Sequence, residues 1–188
     1  MLNERYYSLF GILGPLIALF FILVAIVLSP WFDWGNNALS DLGHAVNSDV
    51  APLFNFGLLL GGFLTILYAL TSFCNQAKYT SYFLVFVGLA LQLVAVFDEV
   101  YGSLHFLVSV LFFVTLAFAS GSYIIEKRSI LALMALIVGL MSWILYGLNV
   151  YSSGIAVPEA TSSIVTASWV VLSAVHAWTK NKKNNVEH

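Results

Sequence analysis

The stretch Asp98-Glu99-Val100-Tyr101-Gly102-Ser103-Leu104-His105 brings two carboxylates and an imidazole within one short turn. A carboxylate beside a histidine in low-dielectric surroundings shifts the titration of both, and it binds metals or cationic headgroups. It is also the set needed for general acid–base work. The connection is too short to part its two ends far, so Asp98 is the expected partner of His105. Ser109 follows His105 by four residues and shares its helix face. The plain structural alternative is a capped, ion-paired hairpin.

Further chemistry-bearing side chains lie in two other places. The stretch 30–50 carries Asn37, Ser40, Asp41, His44 and Asp49 beside Trp31 and Trp34. Glu159 stands alone before the last apolar run. Ser40 with Asp98 and His105 makes a candidate catalytic set, and Asn37, Asp41, His44, Asn55 and Glu159 a candidate ligand-binding set. His105, Asp98 and His44 are of the types that hold zinc, although no His-x-x-x-His, Cys-x-x-Cys or His-Glu-x-x-His spacing is present. Cys74 is the single cysteine, so an internal disulfide is excluded.

The elements that position these residues must be membrane helices. Of 188 residues, 61% are hydrophobic and 9% charged, and the mean hydropathy is +0.94, which calls for lipid as solvent. Runs of about 17–25 apolar residues cross a bilayer as helices, whose backbone groups are satisfied internally. Six such spans are predicted, at Leu9 to Ser29, Ala51 to Cys74, Ser81 to Phe97, Leu104 to Ile125, Ile130 to Tyr151 and Ser163 to Thr179. The expected fold is all-α, a single membrane domain over residues 1–188, with Arg5 and the first run read as a retained span rather than a signal peptide.

Positive residues stay on the cytoplasmic side. Arg5, Lys78, Lys127, Arg128 and the tail Lys180, Lys182 and Lys183 all fall at one end of the predicted bundle. Both termini are therefore expected in the cytoplasm, and the plasma membrane is the expected location. The opposite loops hold Asp33, Asp41, Asp49, Asp98, Glu99 and Glu159 and no Lys or Arg. The net charge of -2 and the dispersed basic residues give no basis for nucleic-acid binding. Membrane lipids are the expected partners.

Three amides, Asn55, Gln92 and Asn149, are predicted at one depth in the outer halves of spans, where they would border a shared polar cavity or bond across helices. Gly57 with Gly61 and Ala117 with Gly121 have the spacing of close helix contacts. His176, near the end of the last span, suits an interfacial helix end, and His188 lies in the polar tail.

The residues Asn37-Ala38-Leu39-Ser40-Asp41-Leu42-Gly43, Asn55, Phe97-Asp98 followed by His105 and Phe112-Phe113, and Glu159 resemble a prokaryotic membrane family called domain of unknown function 998. The resemblance covers most of the chain and implies a six-helix membrane protein without an assigned activity. A weaker resemblance, through Ser40, Asp98 and His105, is to the alkaline ceramidase and adiponectin-receptor superfamily. It implies zinc-dependent hydrolysis, but this sequence lacks that superfamily's paired last-helix histidines and its seventh span.

Two function classes follow. One is a hydrolase or transferase acting on a lipid headgroup at the outer face. The other is a lipid-binding, cation-binding or transport protein, or a non-catalytic subunit. Polar residues thin out towards the inner halves, which favours a blind outer pocket over a channel.

Overall fold

The computed structural model describes residues 4–150 and 154–184, with side chains from 6 to 150 and from 154 to 179. The predicted span end at Tyr151, the side chains of Arg5 and the tail lysines, and His188 lie outside the described residues. The helices are α1 (Glu4–Leu28), α2 (Ala51–Tyr68), α3 (Lys78–Val96), α4 (Ser103–Lys127), α5 (Ile130–Gly147) and α6 (Ala156–Asn184). Six helices are long and apolar enough to cross a membrane.

Local chemistry explains most boundaries. Pro52 sits in the first turn of α2, where its missing N–H costs nothing. The end of α2 widens into a π-helical turn, Ala69–Phe73, that buries Phe73 completely. Arg128, left-handed at φ 50, ends α4, and the Ser129 hydroxyl accepts from the Ala132 N–H to start α5. Only those two residues join α4 to α5. α5 stops at Gly147, so Asn149 (φ 52) is exposed beyond the helix and borders no shared cavity. α6 begins at Ala156, earlier than the predicted Ser163, with Pro158 and Glu159 inside its first turns.

Each helix packs on its neighbours in chain order and α6 closes onto α1, forming a ring whose sparsest seam lies between α4 and α5. Two apolar cores result. The inner one gathers Tyr68, Phe73, Leu84 and Trp169, with Tyr123 stacked on Trp169 at 4.7 Å. The outer one is completed by the first loop, whose 3-10 turn Leu39–Gly43 presses Leu39 and Leu42 against Phe54, Leu58 and Ala156. Burying Leu42 fully contributes about 1.5–3 kcal/mol, enough to hold the loop over the helix ends.

Candidate functional site

The plug formed by Leu39 and Leu42 carries Ser40 inward with it. Ser40 is buried, and its hydroxyl donates to Glu99 Oε1 at 2.5 Å. Glu99 starts a short 3-10 turn, Glu99–Tyr101, and Gly102 (φ 54) supplies the left-handed backbone from which α4 departs. His105, in the first turn of α4, is 5% exposed and lies 3.2 Å from Glu99 Oε1 through Nε2. Its Nδ1 is 2.7 Å from the Phe97 carbonyl, and its Nε2 is also 3.1 Å from the Ser109 hydroxyl.

This geometry counts protons. A carbonyl only accepts, so Nδ1 must carry a hydrogen. With Nδ1 protonated, a neutral ring would turn the Nε2 lone pair towards the carboxylate. One further proton between Nε2 and Oε1 resolves the clash, either as imidazolium with carboxylate or as neutral ring with carboxylic acid. Glu99, which lies outside the spans, has its carboxyl held below the ordinary glutamate range. The hydrogen bond to His105 is the main cause, burial opposes it and Ser40 adds to it.

Glu159 completes the cluster from the first turns of α6. It is 8% exposed, accepts from the Leu39 N–H at 2.7 Å and is close enough to feel the charges of Glu99 and His105. A carboxylate is favoured near a helix N-terminus. Two acids and one imidazole therefore share this end of the bundle, without a Lys or Arg nearby in the sequence.

Beneath the cluster lies a cavity of about 460 Å³ between α4, α5 and α6, lined at its outer end by Ser40, Glu99, His105 and Glu159. A smaller one of about 120 Å³ reaches Ser40 and Glu159 from the α1, α2 and α3 side. The apolar walls of the larger cavity and its few convergent polar groups are the features of a small-molecule site.

The expected residues divide sharply. Ser40, His105 and Glu159 come together. Asp98 does not pair with His105: its Oδ1 accepts from the Val100 N–H at 2.9 Å, capping the 3-10 turn, and Glu99 takes the partner's place. Asp41 accepts from the Asn37 side chain and the Ala38 N–H, both at 2.9 Å, and so shapes the plug. His44 bonds within its own turn, to Val46, Asn47 and the Asn47 side chain. Asn55 donates to the Gly43 carbonyl at 2.9 Å and Gln92 to the Leu59 carbonyl at 3.3 Å. Asn37, Asp41, His44, Asn55 and Asp98 thus build the roof rather than line either cavity.

The proposed zinc set His105, Asp98 and His44 is dispersed by these bonds. Among the described residues no three His, Cys, Asp or Glu converge as a metal site, and no step is drawn through a metal. Glu99 was the residue missed, and the signal for it is the capping preference of aspartate just before a helical turn. Asp98 is thereby occupied, and the next acid is left to face the helix.

Among families, the one described as Protein of unknown function (DUF998) matches residues 12–176. No curated protein and no solved structure matches the chain. The ceramidase and adiponectin-receptor resemblance gains no support from these comparisons.

Proposed function

This chain belongs to the DUF998 family, and we propose that it acts on a membrane lipid at the outer face of the plasma membrane, as a hydrolase or transferase. The single observation that carries the reading is the hydrogen-bonded run Ser40, Glu99, His105 at the head of an apolar intramembrane cavity. The outer assignment rests on the seven Lys and Arg, all of which fall at the other end.

In this reading Glu99 takes the proton of a hydroxyl, from Ser40 or a water, as that oxygen forms its bond to the reacting centre of the headgroup. The imidazolium of His105 gives a proton to the oxygen or nitrogen that leaves. A proton returns from Glu99 to Nε2 across 3.2 Å, and when water attacks this restores the starting state. When Ser40 attacks, the group it holds is released in a second pass, in which Glu99 takes the proton of a water or acceptor hydroxyl and His105 returns one to the Ser40 oxygen. Two carboxyls against one imidazole favour a headgroup with an amine or hydroxyls over a bare phosphate. The same acid excess favours a second reading, capture of an amine-bearing lipid without turnover.

The test is lipid mass spectrometry on protein held in nanodiscs of phosphatidylethanolamine or of phosphatidylglycerol. Glu99→Gln and His105→Gln should lose bound lipid, and any turnover should fall by about 10²–10⁴-fold. Turnover of a lipid supports the first reading, and specific retention without turnover supports the second. If both variants retain the same lipids as the unaltered protein, the cluster is packing only.

A further inference from the structure

The polar cluster sits at the head of a long cleft. His105 and Ser120 line the same cavity, and at 1.5 Å per residue α4 rises about 22 Å between them. One leaflet of a bilayer has about 15 Å of hydrocarbon, so the cleft runs past the full depth of a leaflet. Its α4 wall includes Phe106, Val110 and Val114, four residues apart on one stripe and 68%, 43% and 44% exposed. Across from them on α5, Leu140 is 48% exposed.

A residue that lines a cavity and is also open to its surroundings marks where the cavity opens. At this depth of a spanning helix, the surroundings are acyl chains. The opening lies along the sparsest seam of the ring, outward of the short link that pins α4 to α5. Above it the loops are stitched together. Gly154 N–H donates to the Trp34 carbonyl at 2.8 Å, and Ala156 N–H to the Asn37 carbonyl at 3.1 Å. A Cβ at Gly154 would lie 2.6 Å from that Asn37 carbonyl, so the backbones are in direct contact. The deep polar groups are already engaged, since Trp169 donates to Ser120 and Trp143 to Ser162.

The geometry points to a lateral route: an amine-headed lipid of the outer leaflet enters between α4 and α5 and lays one chain along the cleft, with its head against Glu99, His105 and Glu159. This rests on the functional reading above and adds the path and the place of the chain. The stitches cover the cavity beside the first loop, while exposed Gly102 and part-exposed Glu99 keep the polar head at the aqueous edge. A lipid arriving from the side meets only side chains.

Trp143 lines the cleft and reports on it directly. Vesicles of phosphatidylcholine carry a minor fraction of either phosphatidylethanolamine or phosphatidylcholine with brominated chains. Quenching of Trp143 is taken as the difference between the protein and its Trp143→Phe variant. The expected result is stronger quenching by brominated phosphatidylethanolamine, lost severalfold in Ala117→Phe, which fills the cleft, and retained in Leu111→Phe on the lipid-facing surface. Selective quenching that Ala117→Phe leaves unchanged overturns the route while leaving the headgroup reading intact. Equal quenching by the two lipids overturns the headgroup reading and the inference with it. If Ala117→Phe loses its helical circular dichroism, Ala117→Leu takes its place with the same expected loss and the same contrary outcome.

Discussion

The two sides of the helix ring use the same small residues to opposite ends. On the α1, α2 and α3 side, helices meet backbone to backbone. A Cβ at Gly57 would lie 2.2 Å from Phe21 Cβ, one at Gly61 2.7 Å from Ala18 Cβ, and one at Gly62 2.6 Å from the Gly88 carbonyl. On the α4, α5 and α6 side, a Cβ at Gly121 would meet nothing within 4 Å, and one at Gly139 would find Ser162 at an ordinary 3.4 Å. Ala117, the partner of Gly121 in a small-xxx-small pair, lines the cleft. Small residues let a neighbour approach closely, whether a backbone, as at Gly62, or a side chain, as Phe21 does at Gly57. Where no neighbour reaches them, as at Gly121, they leave space instead.

The acids repeat the contrast. Glu126, at the inner end of α4, accepts from the Tyr79 and Thr80 N–H groups and so caps α3. Glu99 and Glu159, at the outer end, border the cavity. One carboxylate is spent on a helix start, whereas the other two keep an edge on open space.

The largest effect is expected at Gly57. Gly57→Val should cost about 3 kcal/mol or more through overpacking against Phe21, read as a lower unfolding temperature in detergent. A loss no larger than that of Gly139→Ala would mean the tight side is not tight. A smaller effect is expected at the roof, where Asp98→Ala removes a cap worth about 1 kcal/mol. Lipid retention should survive that change; if it vanishes while the protein stays folded, Asp98 belongs to the site after all.

Acid should act more gently still. Glu99 titrates below its ordinary value of 4.5 because His105 holds its carboxylate. A depressed carboxyl contributes stability that is present above 4.5 and is lost as pH falls through the lower folded value. Unfolding temperature should therefore decline below about pH 4.5 with a component that Glu99→Gln removes. An identical acid slope in the variant would show that the pair contributes nothing. The smallest effect belongs to Gly121→Ala, expected within about 0.5 kcal/mol of the unaltered protein, because the added methyl enters open space. A large loss there would close the cleft side of the comparison.

Six spans were legible because hydropathy is a property of contiguous residues. Their ends were less so. α6 starts at Ala156, since a proline in a first turn and a carboxylate near a helix N-terminus both favour helix, although Glu159-Ala160-Thr161-Ser162 looks too polar for a span. The neighbourhood of His105 was visible from the turn that precedes it, but the choice between Asp98 and Glu99 depended on which acid was consumed in capping. The depth of the cleft was not legible at all. Ala117 and Gly121 read as a contact, and only the arrangement of α5 and α6 makes Ala117 part of a wall.

The most direct test is an experimental structure of the full chain in phosphatidylethanolamine nanodiscs. A chain-shaped density is expected between α4 and α5, ending with its head within hydrogen-bond reach of Glu99 or His105. A structure in which α4 and α5 pack together along Val110 and Val114, with His105 parted from Glu99, would contradict it.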